Sequence, residues 1–302
     1  MTIHPARTIT FDELLSGLGR AIERGFVHRR YSEELGLHLY SYTAKCVYDD
    51  GWDQYSMLAR GLLFDEAEKK VVATPFPKFF NFGERQAEVP KLPFEAFEKL
   101  DGSLIIVFYH LGRWKAVTKG DFDSDQAKWA QARLDETDLS ALTGGTTYLF
   151  EMIHPSNRIV VQYDEPALVL LAGYARDGRE LTYSETQNTA ALLGWPVVKR
   201  YQHDSIEALI VHASSMLRNG EGFVVRFADG LRLKIKGAEY LRIRALIARC
   251  TPLDIWSAMN SGADLAEFRR DLPEEFWADF DQIAWLLLER IERLRHKIEE
   301  SA

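Results

Sequence analysis

Apolar residues recur along the chain in two rhythms. Phe11, Leu14, Leu15, Leu18 and Ile22 share one face at helical spacing and predict a helix over 11–24, although Gly17 and Gly19 weaken it. Strands are predicted over 26–31 and 37–42, with a turn at Asp49-Asp50-Gly51. Further apolar runs predict strands over 59–65, 104–109, 146–153, 158–163 and 168–174. The turns Leu111-Gly112-Arg113 and Asp229-Gly230 make hairpins, the first returning over 114–118 and the second joining 221–226 to 231–236. Between them lie a helix over 124–134 capped by Ser124, one to Leu193 opened by a Ser184-x-x-Gln187 capping box, and one over 205–217. From Gly237 onward the rhythm is helical only, over 240–249, 252–259, 264–270 and 273–297. The last carries Phe276, Phe280, Ile283, Leu287, Ile291 and Leu294 on one face. Mixed strands and helices followed by helices alone predict an α+β fold with a small all-helical C-terminal unit.

Bulk properties narrow the function. With 302 residues, 46% hydrophobic and 27% charged, the chain is long enough for about two domains. A net charge of -8 argues against coating nucleic acid nonspecifically, but it leaves room for one basic cleft in an acidic shell. No apolar run approaches the ~18 residues that span a bilayer, and residues 1–10 show no apolar signal core. Cys46 and Cys250 lie too far apart for a metal or redox motif, which predicts reduced thiols in a cytoplasmic protein. The eight histidines form no zinc pattern.

The candidate chemistry centres on Lys99-Leu100-Asp101-Gly102-Ser103, at the head of the apolar run 104–109. A lysine there stands at a strand mouth, where desolvation or nearby cations make it a nucleophile, and Gly102 would let a ligand approach closely. Arg60 precedes Gly61 and an apolar strand, as a guanidinium facing phosphate would. Residues 74–84 set four phenylalanines around Lys78 and Asn81, suited to core packing or to stacking on a base. Glu151 interrupts the apolar strand 146–153, where an unpaired carboxylate is expensive to bury. Lys234 and Lys236 share a strand face by the two-residue period and repel one another unless anions lie between them. Gly17-x-Gly19 lacks the third glycine of a dinucleotide loop, and there is no Walker loop.

The ordered set Arg60-Gly61, Lys99-x-Asp101-Gly102, Glu151, Glu221-Gly222 and Lys234-x-Lys236 resembles the covalent nucleotidyltransferases: DNA ligases, RNA ligases and capping enzymes. The blocks RGLLFD, KFFNFGE, KLDGSL, TKG, FE followed by PSNRIV, EGFVVRF and LKIK resemble the phage RNA ligase 1 family of tRNA-repair ligases, over about residues 26–240. The resemblance implies a nucleotidyltransferase domain of antiparallel β-sheets with flanking helices around an ATP cleft over 1–240. A short helical domain over 241–302 follows, where DNA ligases and capping enzymes carry a β-rich domain. It implies ATP and Mg²⁺, or Mn²⁺ in its place. Lys99 would take the adenylate, with Arg60, Lys78, Phe80, Asp101, Gly102, Lys119, Lys234 and Lys236 around the nucleotide and Phe80 stacked on adenine. Glu151 and Glu221 would serve ribose and metal, and Asp264 an outer metal contact through water. The implied partners are RNA with 5′-phosphate and 3′-hydroxyl ends and an end-healing kinase or phosphatase. A DNA or nick-sealing ligase and an inactive RNA-binding relative stay open as alternatives.

Overall fold

Thr10 accepts a hydrogen bond from the Glu13 N–H and starts α1 (Phe11–Glu23). A Cβ on Gly17 would lie 2.3 Å from the Tyr55 ring, so this glycine admits a packed aromatic rather than a phosphate. The structure, a computed structural model, describes residues 2–84, 89–155, 160–216, 220–248, 251–266, 269 and 277–299. Strands β1 (Val27–Ser32), β2 (Leu37–Tyr42), β3 (Arg60–Asp65) and β4 (Lys70–Ala73) form an antiparallel sheet in chain order. Short helices α2 (Ala44–Tyr48) and α3 (Gln54–Leu58) fill the β2–β3 connection. Tyr40, Leu62 and Phe64 pack with Leu14 and Leu18 of α1, while Leu37, Leu39 and Leu63 face the next layer.

After β5 (Phe80–Asn81) and β6 (Phe94–Glu98) come β7 (Ser103–His110), β8 (Arg113–Thr118), α4 (Asp125–Asp135), β9 (Thr147–Ile153) and β10 (Ala167–Tyr174). The second sheet runs β10-β9-β7-β8, all antiparallel. Leu104, Ile106 and Phe108 of β7 pack on Leu39 and Leu63. Ile105 and Val107 meet Ala130 and Leu134 of α4 on the other face. Burial on both faces explains why this strand reads as an unbroken apolar run.

Helix α5 (Tyr183–Leu193), β11 (Arg200–Tyr201), α6 (Ile206–Ser215), β12 (Gly222–Phe227) and β13 (Arg232–Lys236) follow. The third sheet is β11-β6-β12-β13-β5, with only the β13–β5 pair parallel. Phe223, Val225, Leu233 and Ile235 pack on Leu209 and Ala213 of α6, which leaves Val224, Arg226, Arg232, Lys234 and Lys236 on the opposite face. Helices α7 (Ala238–Ala248), α8 (Pro252–Ser261) and α9 (Trp277–Glu299) close the described chain. Among the described residues no helix is long and apolar enough to cross a membrane.

The α+β class with antiparallel sheets is as expected. Two local expectations are corrected. The α5 capping box is Thr182 with Glu185, not Ser184 with Gln187: the Thr182 hydroxyl takes the Glu185 N–H and the Glu185 carboxylate takes the Thr182 N–H. The strand predicted over 158–163 is absent from its described part, because the Val160 and Val161 N–H groups donate to Asp101 instead of to a neighbouring strand. Most of the helix expected over 264–270 and the start of that over 273–297 lie outside the described residues.

Candidate active site

A cavity of about 540 Å³ opens between β7, β9 and β10 on one side and β12 and β13 on the other. Eight cationic residues and five acidic ones line it, so a chain of net charge -8 holds a locally positive cleft. Arg60, Lys99, Asp101, Gly102, Lys119, Glu151, Glu221, Lys234 and Lys236 all stand on its wall.

Lys99 lies four residues before β7, and its N–H donates to the Gly222 carbonyl at 2.9 Å. This bond ties the loop before β7 to the start of β12. The Lys99 ammonium donates to Glu221 Oε2 at 2.5 Å, and Lys236 Nζ lies 2.9 Å from Glu221 Oε1. Glu221 is 2% exposed, so its charge is balanced by two lysines rather than by water. Lys234, opposite Val224 in the register, has no carboxylate partner among the described residues and lies 4.8 Å from the Phe79 ring centre. Burial, with Arg60, Lys78, Lys99 and Lys236 adding repulsion, pulls its pKa down to about 7. Arg60 carries a buried Nη1 with no hydrogen-bond partner, and its guanidinium lies 5.6 Å from the Phe79 ring centre. Two under-neutralised cations beside one ring in the cleft suit a polyanionic ligand.

Glu151 Oε1 accepts the Gly102 N–H at 3.1 Å. Burial raises the Glu151 carboxyl to about 7, against the pull of Lys99 and Arg60. A Cβ on Gly102 would lie 2.2 Å from the Met152 carbonyl oxygen. This glycine therefore allows a close approach to β9 while it also lines the cavity. Gly102→Ala is expected to destabilise the fold by about 1–3 kcal/mol or more, because the clash is with backbone that cannot rotate away. A lowered thermal midpoint by circular dichroism checks this.

Asp101, although it lines the cavity, is bonded chiefly to the protein itself. Its Oδ2 accepts the Val160 and Val161 N–H groups at 2.8 and 3.0 Å, and its Oδ1 accepts the Tyr240 hydroxyl at 3.0 Å. Its own N–H donates to the Tyr163 hydroxyl at 2.9 Å. With both oxygens engaged and 3% exposure, Asp101 fixes the loop that carries Lys99.

Three expected residues stand elsewhere. Phe79, one position earlier, lines the cavity in place of Phe80. Phe80 lies in β5, its ring edge-on to Trp52 at 5.6 Å. Lys78 is held between Trp52 and Phe80, 5.0 and 4.7 Å from their ring centres, off the cavity wall. Asp264 is exposed and accepts the Ala266 N–H at 2.8 Å, so it serves the local backbone rather than the cleft. Lys119, at the cavity mouth, rests 4.9 Å over the Tyr42 ring.

Sequence reasoning missed the inner end of the cleft. Glu180 there takes Arg226 at 2.5 Å and also Arg232, and Arg226 bonds Glu95. Burial pushes the Glu180 pKa up, but the two arginines outweigh it and hold the carboxyl below its usual range. The signal was present: the two-residue period that aligns Lys234 with Lys236 also places Arg232 on that face.

Among the described residues no group of three or more His, Cys, Asp or Glu side chains is arranged to hold a metal ion. The donor set nonetheless suits a hard cation bound together with phosphates. Glu151 is a buried carboxylate that a nearby cation would re-ionise, and Mg²⁺ needs only one or two carboxylates beside substrate oxygens.

The family model described as RNA ligase matches residues 58–240. The chain is 28% identical over 180 residues to the RNA ligase of Rhodothermus phage RM378, covering 45% of this chain and 40% of that protein. It is 29% identical over 214 residues to a putative bifunctional polynucleotide kinase/RNA ligase of Autographa californica nuclear polyhedrosis virus, covering 61% of this chain and 30% of that one. The chain thus matches less than half the length of either relative. An archaeal ATP-dependent RNA ligase shares the fold, with TM-score 0.59 and 18% identity over 94% of this chain and 82% of that one.

Proposed function

The chain belongs to the RNA ligase family, and on that premise we propose that it is an ATP-dependent ligase joining RNA 5′-phosphate and 3′-hydroxyl ends through an adenylate carried on Lys99. The supporting observation is the Lys99 ammonium, bridged to Glu221 on the wall of a cleft rich in cations. Residues 1–240 would form the adenylyltransferase unit, with the helices beyond as a separate short module.

Lys99 Nζ must lose a proton to attack, and Glu221 at 2.5 Å is placed to receive it. The amine forms a P–N bond to the α-phosphorus of ATP, the bond to the bridging oxygen breaks, and pyrophosphate departs. Lys234, Lys236 and Arg60 would hold the phosphates in line and balance their charge. A 5′-phosphate oxygen of RNA then displaces Lys99 from the adenylate. A 3′-hydroxyl attacks the activated phosphate, sealing the strand and releasing AMP. Mg²⁺, near Glu151 and the phosphates, would neutralise charge on phosphate oxygens. Ends of this kind are made by a kinase that phosphorylates 5′-hydroxyls and a phosphatase that clears 3′-phosphates. The supporting observation for such partners is that the viral relative's name joins kinase and ligase in one protein. Incubation with ATP and mass spectrometry tests the reading: one AMP added at Lys99 is expected, and no adduct overturns it.

The cleft also predicts a proton uptake. Lys234 sits near pKa 7 in the free protein, so it is largely neutral at pH 8. A bound polyphosphate raises that pKa, and raising a pKa on binding draws a proton in. Calorimetry at pH 8 without metal, in two buffers of different ionisation enthalpy, should show net proton uptake per ATP, and Lys234→Met should reduce it to the share taken by Glu151, whose carboxyl also sits near 7.

A further inference from the structure

Helix α9 carries Trp277, Phe280, Ala284, Leu287, Ile291, Leu294 and Ile298, spaced alternately three and four residues apart. That is a heptad seam with these residues at its a and d positions. Its first half is covered: Phe280 and Ala284 are buried with Ile255 of α8, and Trp277 and Leu287 pack against them. Helix α8 has 10 residues and α9 has 23, lengths of about 15 and 35 Å. The seam therefore runs on past its cover, where Leu294 is 54% and Ile298 68% exposed. A groove of about 700 Å³ beside Pro252 follows this stretch, with Ile283, Leu287 and Leu294 on its floor. Its rim is basic: Arg290, Arg293 and Lys297 line it against Glu289, which Arg293 already occupies at 2.5 Å.

We propose that the distal half of α9 docks an acidic amphipathic helix of a partner protein, its apolar residues entering the seam around Leu294 and its carboxylates meeting Arg290 and Arg295. The choice of occupant follows from charge. Arg290 and Lys297 hold g positions and Arg295 an e position, the sites that decide pairing between coiled helices. A second copy of the chain would set cation against cation in either orientation. RNA would satisfy the rim but leave the aliphatic floor with no partner, whereas an acidic helix meets both.

The probe is a labelled synthetic heptad peptide with Leu at a and d and Glu at e and g, titrated with the full chain by fluorescence anisotropy. Its twin carries Lys at e and g. Saturable binding of the Glu peptide alone is expected, weakening with salt and falling at least about tenfold in Leu294→Asp. Lysyl-adenylate formation by that variant should stay unchanged, which shows that it folds. Equal binding of both peptides, or of neither, overturns the proposal. So does a dimer of the chain in sedimentation velocity that Leu294→Asp dissolves, or a loss of single-stranded RNA affinity in that variant without peptide binding to the parent.

Discussion

Lys99→Ala should leave no AMP on the protein after incubation with α-labelled ATP and Mg²⁺. No described neighbour supplies a second amine in the same position. Lys236 and Lys234 face the cleft from the opposing sheet, with Lys236 tied to Glu221 and Lys234 set against Phe79. Lys99→Arg keeps the positive charge and the contact to Glu221 but not the nucleophile, so it should be equally silent. If both variants still bind ATP, the loss is one of chemistry rather than of folding. Label retained at parental level on Lys99→Ala would remove the residue from the mechanism. A further separation comes from pre-adenylated RNA, which bypasses the first step. Lys99→Ala should still seal it, because only the opening transfer needs the amine.

Glu221→Ala should be nearly as damaging and should act twice over. The carboxylate is the shared counter-ion of Lys99 and Lys236, 2% exposed, and its removal leaves two partly buried cations facing each other without their counter-ion. Breaking a buried ion pair from one side costs about 3–5 kcal/mol of stability. In the adenylation step, loss of the group that takes the Lys99 proton and aligns both lysines should cost about 10²–10³ in rate. Glu221→Gln keeps the shape and one acceptor oxygen, so it should recover much of the stability and little of the rate. Thermal unfolding and single-turnover label transfer, measured on the same preparations, check the two effects apart. Equal rates in Glu221→Gln and the parent would mean that the carboxylate is only structural.

The main strands of the fold were legible in the sequence because burial leaves a period. The unbroken run at 104–108 marks a strand packed on both faces, and the alternation in 222–227 and 232–236 marks strands with one face in a core. The shared face of Lys234 and Lys236 was legible for the same reason, whereas Lys99 and Glu221, which stand just before β7 and β12, were marked by their motifs and by resemblance. What escaped depends on contacts between distant segments. Nothing local in 158–163 says that its N–H groups will serve a carboxylate some sixty positions earlier. Nothing local separates Phe79 from Phe80 either; the parallel pairing of β5 with β13 decides which ring faces the cleft. The inner arginines went unnoticed because Glu180, which organises them, lies on the segment between β10 and α5, away from the motif strands.

The hydroxyl of Tyr240 reaches Asp101 from a helix that starts only two residues after the basic strand ends. Arg244 donates to the same hydroxyl at 3.1 Å, and the Lys236 ammonium lies 4.9 Å from the ring centre. A shortened protein ending at residue 240 would keep this hydroxyl but lose Arg244, which donates to it, and most of the helix that holds it beside the Lys99 loop. Anyone trimming the protein for crystallisation or engineering should cut beyond Arg244, not before it.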